Sequence, residues 1–556
     1  MNINRDRVRC VHRGAIVGLL LLSGCNGSNG AGAPGAIAPG ISTTALPIAD
    51  QTLSYSAALS ATGTPDIRWA LAAGSLPPGL RFSEAGTIEG IPTEPGSRLI
   101  TVAATNNAGN DSRTLTLTVR PKTTAISAGH SSTKSDGPSG IYPTYGGESA
   151  LSGDGRFVVF QSNAGNLVPN DTNAKRDVFL HDRHTGDIVR VSVATNGGEG
   201  NDASVVGTIS GNGRIIAYHS FASNLVSNDT NAGAPGGGGG DIFVHDRVSH
   251  ETTRVSVASL SGVEGTCATP PAAGFPCTSF DPGLDAEGQR VVFGSTFTNL
   301  VPNDTNGVAD IFLHDRISGV TERVSLGLGG SEANGGSGNP GISADGRYVV
   351  FESTASNLVG PGNDANGASD IFVHDRATGI TVLVSKNAAG TPGNWNSLTP
   401  SISRDGKWVA FWSVADNLVP NDTNGFADIF VVDWQSPAPT MRRISISGTG
   451  VEGNGDSRVP VMNGDGRYVV FESEASTLLD GGGDTNGATD VFVVDLQTGV
   501  LKRASVSGTG AEAVGGHSHT PSVSADGRFV SFTSEANNLE DGDTNGKADV
   551  FVTQRP

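Results

Sequence analysis

Short runs of β-branched and aromatic residues recur along residues 122–556, each cut off by polar turn residues. One stretch reads "PGIS", "ADG", "RYVVFES" (Arg347 to Ser353), "TASNLVGPGNDANGAS", "DIFVHDR" (Asp370 to Arg376), "ATG" and "ITVLVS" (Ile380 to Ser385). The apolar runs are rich in Val, Ile and Phe and bounded by Gly, Asn and Asp, a pattern of strands joined by tight turns. The stretch therefore predicts four strands. No segment beyond the N-terminal leader shows the 3.6-residue apolar period of a helix.

The same order returns seven times. The turn glycine falls at Gly155, Gly213, Gly288, Gly346, Gly406, Gly466 and Gly527, in steps of 58 to 75 residues. The seventh copy stops after its third strand, "DVFVTQR" (Asp549 to Arg555), while "KTTAISAG" (Lys122 to Gly129) ahead of the first copy reads as a lone fourth strand. A four-stranded antiparallel unit repeated in this way predicts a seven-bladed β-propeller, the N-terminal strand closing the last blade. The motif set "ISADGRYVVFES…DIFVHDRATG…VS" resembles the TolB-like family of bacterial envelope propeller repeats over about residues 122–556, departing from it in the long "SNLVPNDTNG" loop. A sialidase-type Asp-box does not fit, because Gly346 follows Asp345 directly and no Trp sits at the required distance.

Residues 41–120 carry a different pattern. Strand-like segments lie around Gly74-Ser-Leu-Pro-Pro-Gly-Leu80 and Gly86-Thr-Ile-Glu-Gly-Ile-Pro92, with no cysteine pair. These motifs resemble bacterial immunoglobulin-like (cadherin-like) modules. The resemblance implies a β-sandwich that serves as a spacer or adhesive unit. The whole is thus expected to be all-β, a sandwich followed by a propeller. Composition agrees: 78 glycines among 556 residues, 16% charged and 36% hydrophobic, is too poor in helix formers for a helical protein.

The first 24 residues read as a targeting segment. Arg5, Arg7, Arg9 and Arg13 precede the apolar Ala15 to Leu22, which is too short to span a bilayer. Leu22-Ser23-Gly24-Cys25 resembles a lipobox, implying cleavage before Cys25 and lipidation of its thiol, with residues 25–40 as a flexible tether. Asn26 stands where an Asp resembling an inner-membrane retention signal is absent, so the outer membrane, periplasmic or surface face, is favoured over the inner. The remaining pair, Cys267 and Cys277, is expected to form a disulfide after export. Cleavage removes four Arg and one Asp and takes the formal charge from −19 to −22. Such a surface repels nucleic acid and anionic lipid and favours cations and basic partners. Contact with membrane is expected through the lipid anchor alone.

Each copy places acids between its second and third strands: Asp171, Asn173 and Asp177; Asp229, Asn231 and Asp241; Asp304, Asn306 and Asp310; Asp364, Asn366 and Asp370; Asp422, Asn424 and Asp428; Asp484, Asn486 and Asp490; Asp543, Asn545 and Asp549. Calcium takes six to eight hard oxygen ligands at about 2.3–2.6 Å, and Asp and Asn on a tight turn can supply some of them. The same residues also make Asx-turns without any ion. Both readings stand at this point. The loops should share a face with the links between copies, where Trp395, His517 and His519 fall as candidate partner-face residues; His517, His519 and His130 could also meet a metal.

Catalytic signatures are lacking. There is no Gly-x-Ser-x-Gly elbow, His-Glu-x-x-His or phosphate loop. His181, His245, His314 and His374 recur at one position of "HDR", which points to packing. The expected function is an envelope binding or scaffold protein for a protein or glycan, with calcium as its cofactor. A uniform ring at the channel mouth would favour binding. An asymmetric cluster of acids, His and aromatics would favour an enzyme acting on envelope polymer. Metal-free structural loops are the third possibility.

Overall fold

The computed structural model describes residues 35–129, 134–140, 150–231, 239–267, 277–540 and 542–555. The leader, Cys25, most of the tether and His130 lie outside them. No α-helix occurs among the described residues.

Residues up to Arg120 form a two-sheet, immunoglobulin-like sandwich. Ala49–Asp50, Gly109–Arg120, Gly96–Asn106 and Arg68–Ala73 make one sheet; Tyr55–Ala58, Thr87–Gly90 and Leu80–Phe82 make the other. Trp69, Ile88, Ile100, Val102, Leu115 and Leu117 are buried between them. Two motif glycines have physical reasons. Gly86 has φ +85° and lies so close that a Cβ there would meet the Trp69 ring at 2.7 Å; Gly79 has φ +89° and packs on the Ile91 carbonyl.

From Thr123 onward the described residues hold seven four-stranded antiparallel sheets. The fourth repeat is typical: Ser337–Ile342, Tyr348–Ser353, Asp370–Asp375 and Ile380–Leu383, hydrogen-bonded in that order. Its second and third strands are almost wholly buried, because each sheet packs on a neighbour at both faces. This is why they read as continuous apolar runs instead of alternating. The outer strands of the first and sixth repeats alternate between exposed and half-buried positions. In every sheet an aromatic pair faces across the second and third strands, from Phe160–Phe179 through Tyr218–Phe243 to Phe532–Phe551, with centroids 5.8–6.0 Å apart.

Consecutive sheets are linked at the tight-turn end by backbone hydrogen bonds. Gly153 donates to Gly211, Asn212 to Ala286, Ala286 to Ala344, Ala344 to Arg404, Arg404 to Gly464 and Gly464 to Ala525. The chain ends also meet. Thr123–Ala125 pairs antiparallel with Asp549–Gln554, in the register Thr123 to Thr553 and Ala125 to Phe551. Ser139 of the first repeat donates to Ala548 of the seventh. The architecture is that of a β-propeller.

One boundary departs from expectation. The innermost strands begin at the Ser of Ser-x-x-Pro, as at Ser337, Ser397, Ser457 and Ser518, and not at the proline. A β-bulge accommodates the extra residue and puts Asp281, Asn339, Thr399, Val459 and Thr520 at φ between 44° and 51°.

The sandwich rests on the tight-turn end. Ile48 N–H donates to the His184 carbonyl, and Asp50 pairs with Arg120 at 3.0 Å and Arg183 at 3.2 Å. Arg183 also lies over the Phe529 ring at 4.0 Å, across the seam between first and seventh repeats.

Candidate functional site

The acidic loops come first, because they recur. In all seven, Asn donates its amide to the last Asp at 2.6–3.1 Å, as in Asn173 to Asp177 and Asn545 to Asp549. The other oxygen of that Asp accepts a serine hydroxyl at 2.5–2.6 Å, from Ser192, Ser256, Ser325, Ser385, Ser445, Ser505 or Ser127. The repeated Asp is thus a buried anchor that ties the loop to the outer strand.

Between the two aspartates of five loops stands an arginine from the outer strand. Arg190, Arg254, Arg323, Arg443 and Arg503 approach the first Asp at 2.8–3.6 Å and the last at 2.9–3.3 Å. Each also pairs with a glutamate of the following link (Glu199, Glu264, Glu332, Glu452 or Glu512) at 2.6–2.9 Å. That glutamate binds the loop threonine in turn, as Glu332 does with Thr305 N–H and Oγ1. Loops and links therefore share one face. In the second and sixth repeats the three carboxylates converge within 4.8 Å, spacing that a metal could use, yet a guanidinium already sits among them. Burial pushes the first aspartate up, to about 7 at Asp229 and about 6 at Asp304, Asp422 and Asp484. The sequence reading missed these arginines, although each stands at one fixed place opposite the third-strand Phe.

The channel mouth on this same face is not uniform. The residue between the second-strand aromatic and the invariant serine is Gln161, His219, Gly294, Glu352, Trp412, Glu472 or Thr533 in successive repeats. A cavity of about 450 Å³ opens there, lined by Glu352, Trp412, Arg458, Glu472, Glu474 and His519 among others. Glu352 accepts the Thr399 N–H and Glu472 the Thr520 N–H, each at 2.8 Å, so each carboxylate secures the bulge of the next repeat. Burial pushes both glutamates above the usual carboxylate range. His519 Nδ1 lies 3.9 Å from Glu472, and burial, with the His517 charge, lowers its pKa. Arg458 pairs with Asp456 at 2.5 Å and lies 5.6 Å from the Trp412 ring centroid.

Of the partner-face residues, His519 lines this cavity. His517 stacks on His519 at 5.6 Å and takes the Thr489 N–H. Trp395 is 62% exposed and does not line the cavity. Cys267 and Cys277 form a disulfide. Of the "HDR" histidines, His245, His314 and His374 are buried packing groups bonded to Thr252, Thr321 and Thr381, and His181 is half-buried. At the opposite, tight-turn end lies a separate cavity of about 110 Å³. There Arg404 of the fifth repeat reaches across to Gly153 and Gly211 of the first and second. The other repeats have Gly or Ala at this position.

Residues 36–120 match the family described as "Putative Ig domain". No curated protein matches the chain. Among solved structures it is similar to a "putative TolB" from Agrobacterium tumefaciens, with 17% identity over 51% of this chain and 92% of that one, at a TM-score of 0.31. It is also similar to prolyl endopeptidases (11% identity, 76% of this chain, 50% of theirs, TM-score 0.44). A third likeness is to prolyl oligopeptidase B from Galerina marginata (11%, 72% and 47%, TM-score 0.38). The chain spans about half the length of these peptidases.

Proposed function

We propose that this chain, an immunoglobulin-like module joined to a β-propeller, is an exported, lipid-anchored binding protein of the cell envelope. Its parts are a leader (1–24), a tether (25–40), the sandwich (41–120) and a seven-bladed propeller (122–556) closed by its N-terminal strand. The ligand enters the channel mouth on the loop face. The carrying observation is the cavity in which Glu352, Glu472 and Glu474 outnumber Arg458, with Trp412 as an apolar wall. An acidic recess of about 450 Å³ suits a basic side chain of a protein partner better than a polymer segment. With the leader removed, the net charge of −22 (from −19, less four Arg and one Asp) steers such partners towards it. Because the sandwich packs at the tight-turn end, an N-terminal anchor leaves the loop face turned outward. Calcium belongs to this reading only where the chain supplies no cation of its own.

The test is binding of immobilised protein to arrays of basic peptides and of envelope glycans, with Glu352→Gln/Glu472→Gln as the comparison. Basic peptides should bind, and the double variant should lose at least about tenfold in affinity, as removal of buried charge partners does. Glycan binding alone would move the ligand class. Peptide binding unchanged in the variant would overturn the site.

The asymmetry of the cavity favours a second reading, an enzyme acting on envelope polymer, with Glu472 and His519 as an acid–base pair. Turnover of a glycan or peptide by the intact protein, abolished by Glu472→Gln without loss of fold, would decide for it.

A further inference from the structure

Six of the seven acidic loops receive a cation from the chain. Five hold the arginines described above. In the seventh, Lys134 pairs with Glu540 at 3.2 Å and its charge acts on Asp543. The fourth loop differs in two places at once. Leu383 stands opposite Phe372, where Arg323 stands opposite Phe312 in the repeat before. Pro392 bridges Lys386, where Glu332 bridges Leu326. Both members of the Arg–Glu pair are gone, and both aspartates remain.

Asp364 is only 5% exposed and Asp370 is fully buried. Asp370 accepts Ser385 and Asn366, whereas the Asp364 side chain has no hydrogen-bond or ion-pair partner among the described residues. Burial, with a smaller contribution from the Asp364 charge, pushes the Asp370 carboxyl up to about 6. In the sister loops the arginine also takes the carbonyl of the residue before the first Asp, as Arg323 does with Asn303 and Arg443 with Asn421. The corresponding carbonyl here belongs to Asn363.

We propose that Asp364, Asp370 and the Asn363 carbonyl hold a divalent cation of the calcium class, at the position where five sister loops place a guanidinium. The donors are hard oxygens, and two carboxylates match one doubly charged ion. A basic side chain from a partner fits less well. Leu383, 4% exposed, occupies the route by which the sister arginines arrive, and Asp364 is too covered for a long stem to enter from outside. Three protein oxygens leave several positions to water, which places the affinity among extracellular modules, at about 10⁻⁴ to 10⁻³ M.

The experiment is equilibrium dialysis of ⁴⁵Ca²⁺ with the chelator-treated mature protein at fixed ionic strength, together with thermal melting with and without 5 mM calcium chloride, about ten times the mid-range affinity. Wild type should bind one calcium and melt higher with it. Asp364→Asn should bind none, and should melt higher than wild type in chelator, since it removes an unpaired buried charge. A role in the turn alone would make the same variant melt lower in both conditions. Asp543→Asn in the seventh loop should leave the stoichiometry at one. No binding by wild type, or equal binding by Asp364→Asn, would overturn the proposal. Leu383→Arg/Pro392→Glu, which rebuilds the sister arrangement, should abolish binding if it folds.

Discussion

A single side chain in each loop decides between two chemistries. Arg443 pairs with Asp422, Asp428 and Glu452 at once, and its side chain is 9% exposed. Arg443→Leu strands three acids and should cost about 3–5 kcal/mol, read as a lower denaturation midpoint. Adding Glu452→Gln should return part of that loss. Asp281 behaves differently. Burial and the nearby Glu352 push its carboxyl up to about 8, against about 3.9 in an unfolded chain. The folded state therefore holds the proton more tightly. Stability from this group is full below about pH 4 and is lost as pH rises through about 8. Asp281→Asn should flatten that part of the profile in denaturant melts at pH 5 and pH 8, and Asn tolerates the φ of 51° found there. The Asp–Asn–Asp triplets were legible in the sequence, but their partners were not. The arginines lie one strand further on, and only strand register reveals that they face the loop. The channel-mouth residues carried a signal that was there to read. Between an invariant aromatic and an invariant serine, one position runs Gln, His, Gly, Glu, Trp, Glu, Thr. Packing demands sameness at the flanking positions, and this one is released from it.

At the level of strands, apolar runs located the second and third members of each sheet and the fourth members of the first six. The innermost strand was placed three residues late because its first half, Ser337-Gly-Asn-Pro340, carries no apolar run and leads into the bulge. The lone strand near Lys122 was found from counting alone: seven copies lacked one fourth strand, and one strand was left over. Its pairing depends on few contacts, among them Ile126 N–H to Val550 at 2.8 Å and the Thr123 to Thr553 hydroxyl contact at 2.9 Å. Ile126→Pro removes that donor and a side chain 1% exposed. It should destabilise the propeller by about 3 kcal/mol or more, measured by chemical denaturation.

Across the whole molecule, the sandwich and propeller are not independent beads. Asp50 serves Arg120 within one and Arg183 within the other, and Arg183 in turn covers the seam where the first and seventh repeats meet. Asp50→Ala should leave Arg183 buried without its carboxylate. Calorimetry should then show the sandwich melting apart from the propeller, with faster protease cleavage near residues 121–122. Nothing in the sequence disclosed this docking, since an Asp in a short strand is ordinary until its neighbours are known. Arg404 has a consequence of the same reach. Its guanidinium lies across the inner rim at Gly153 and Gly211, where the other repeats carry only Gly or Ala. Arg404→Gly should therefore thin the floor beneath the molecule's axis, and faster release of a guest held at the opposite mouth is the outcome to look for.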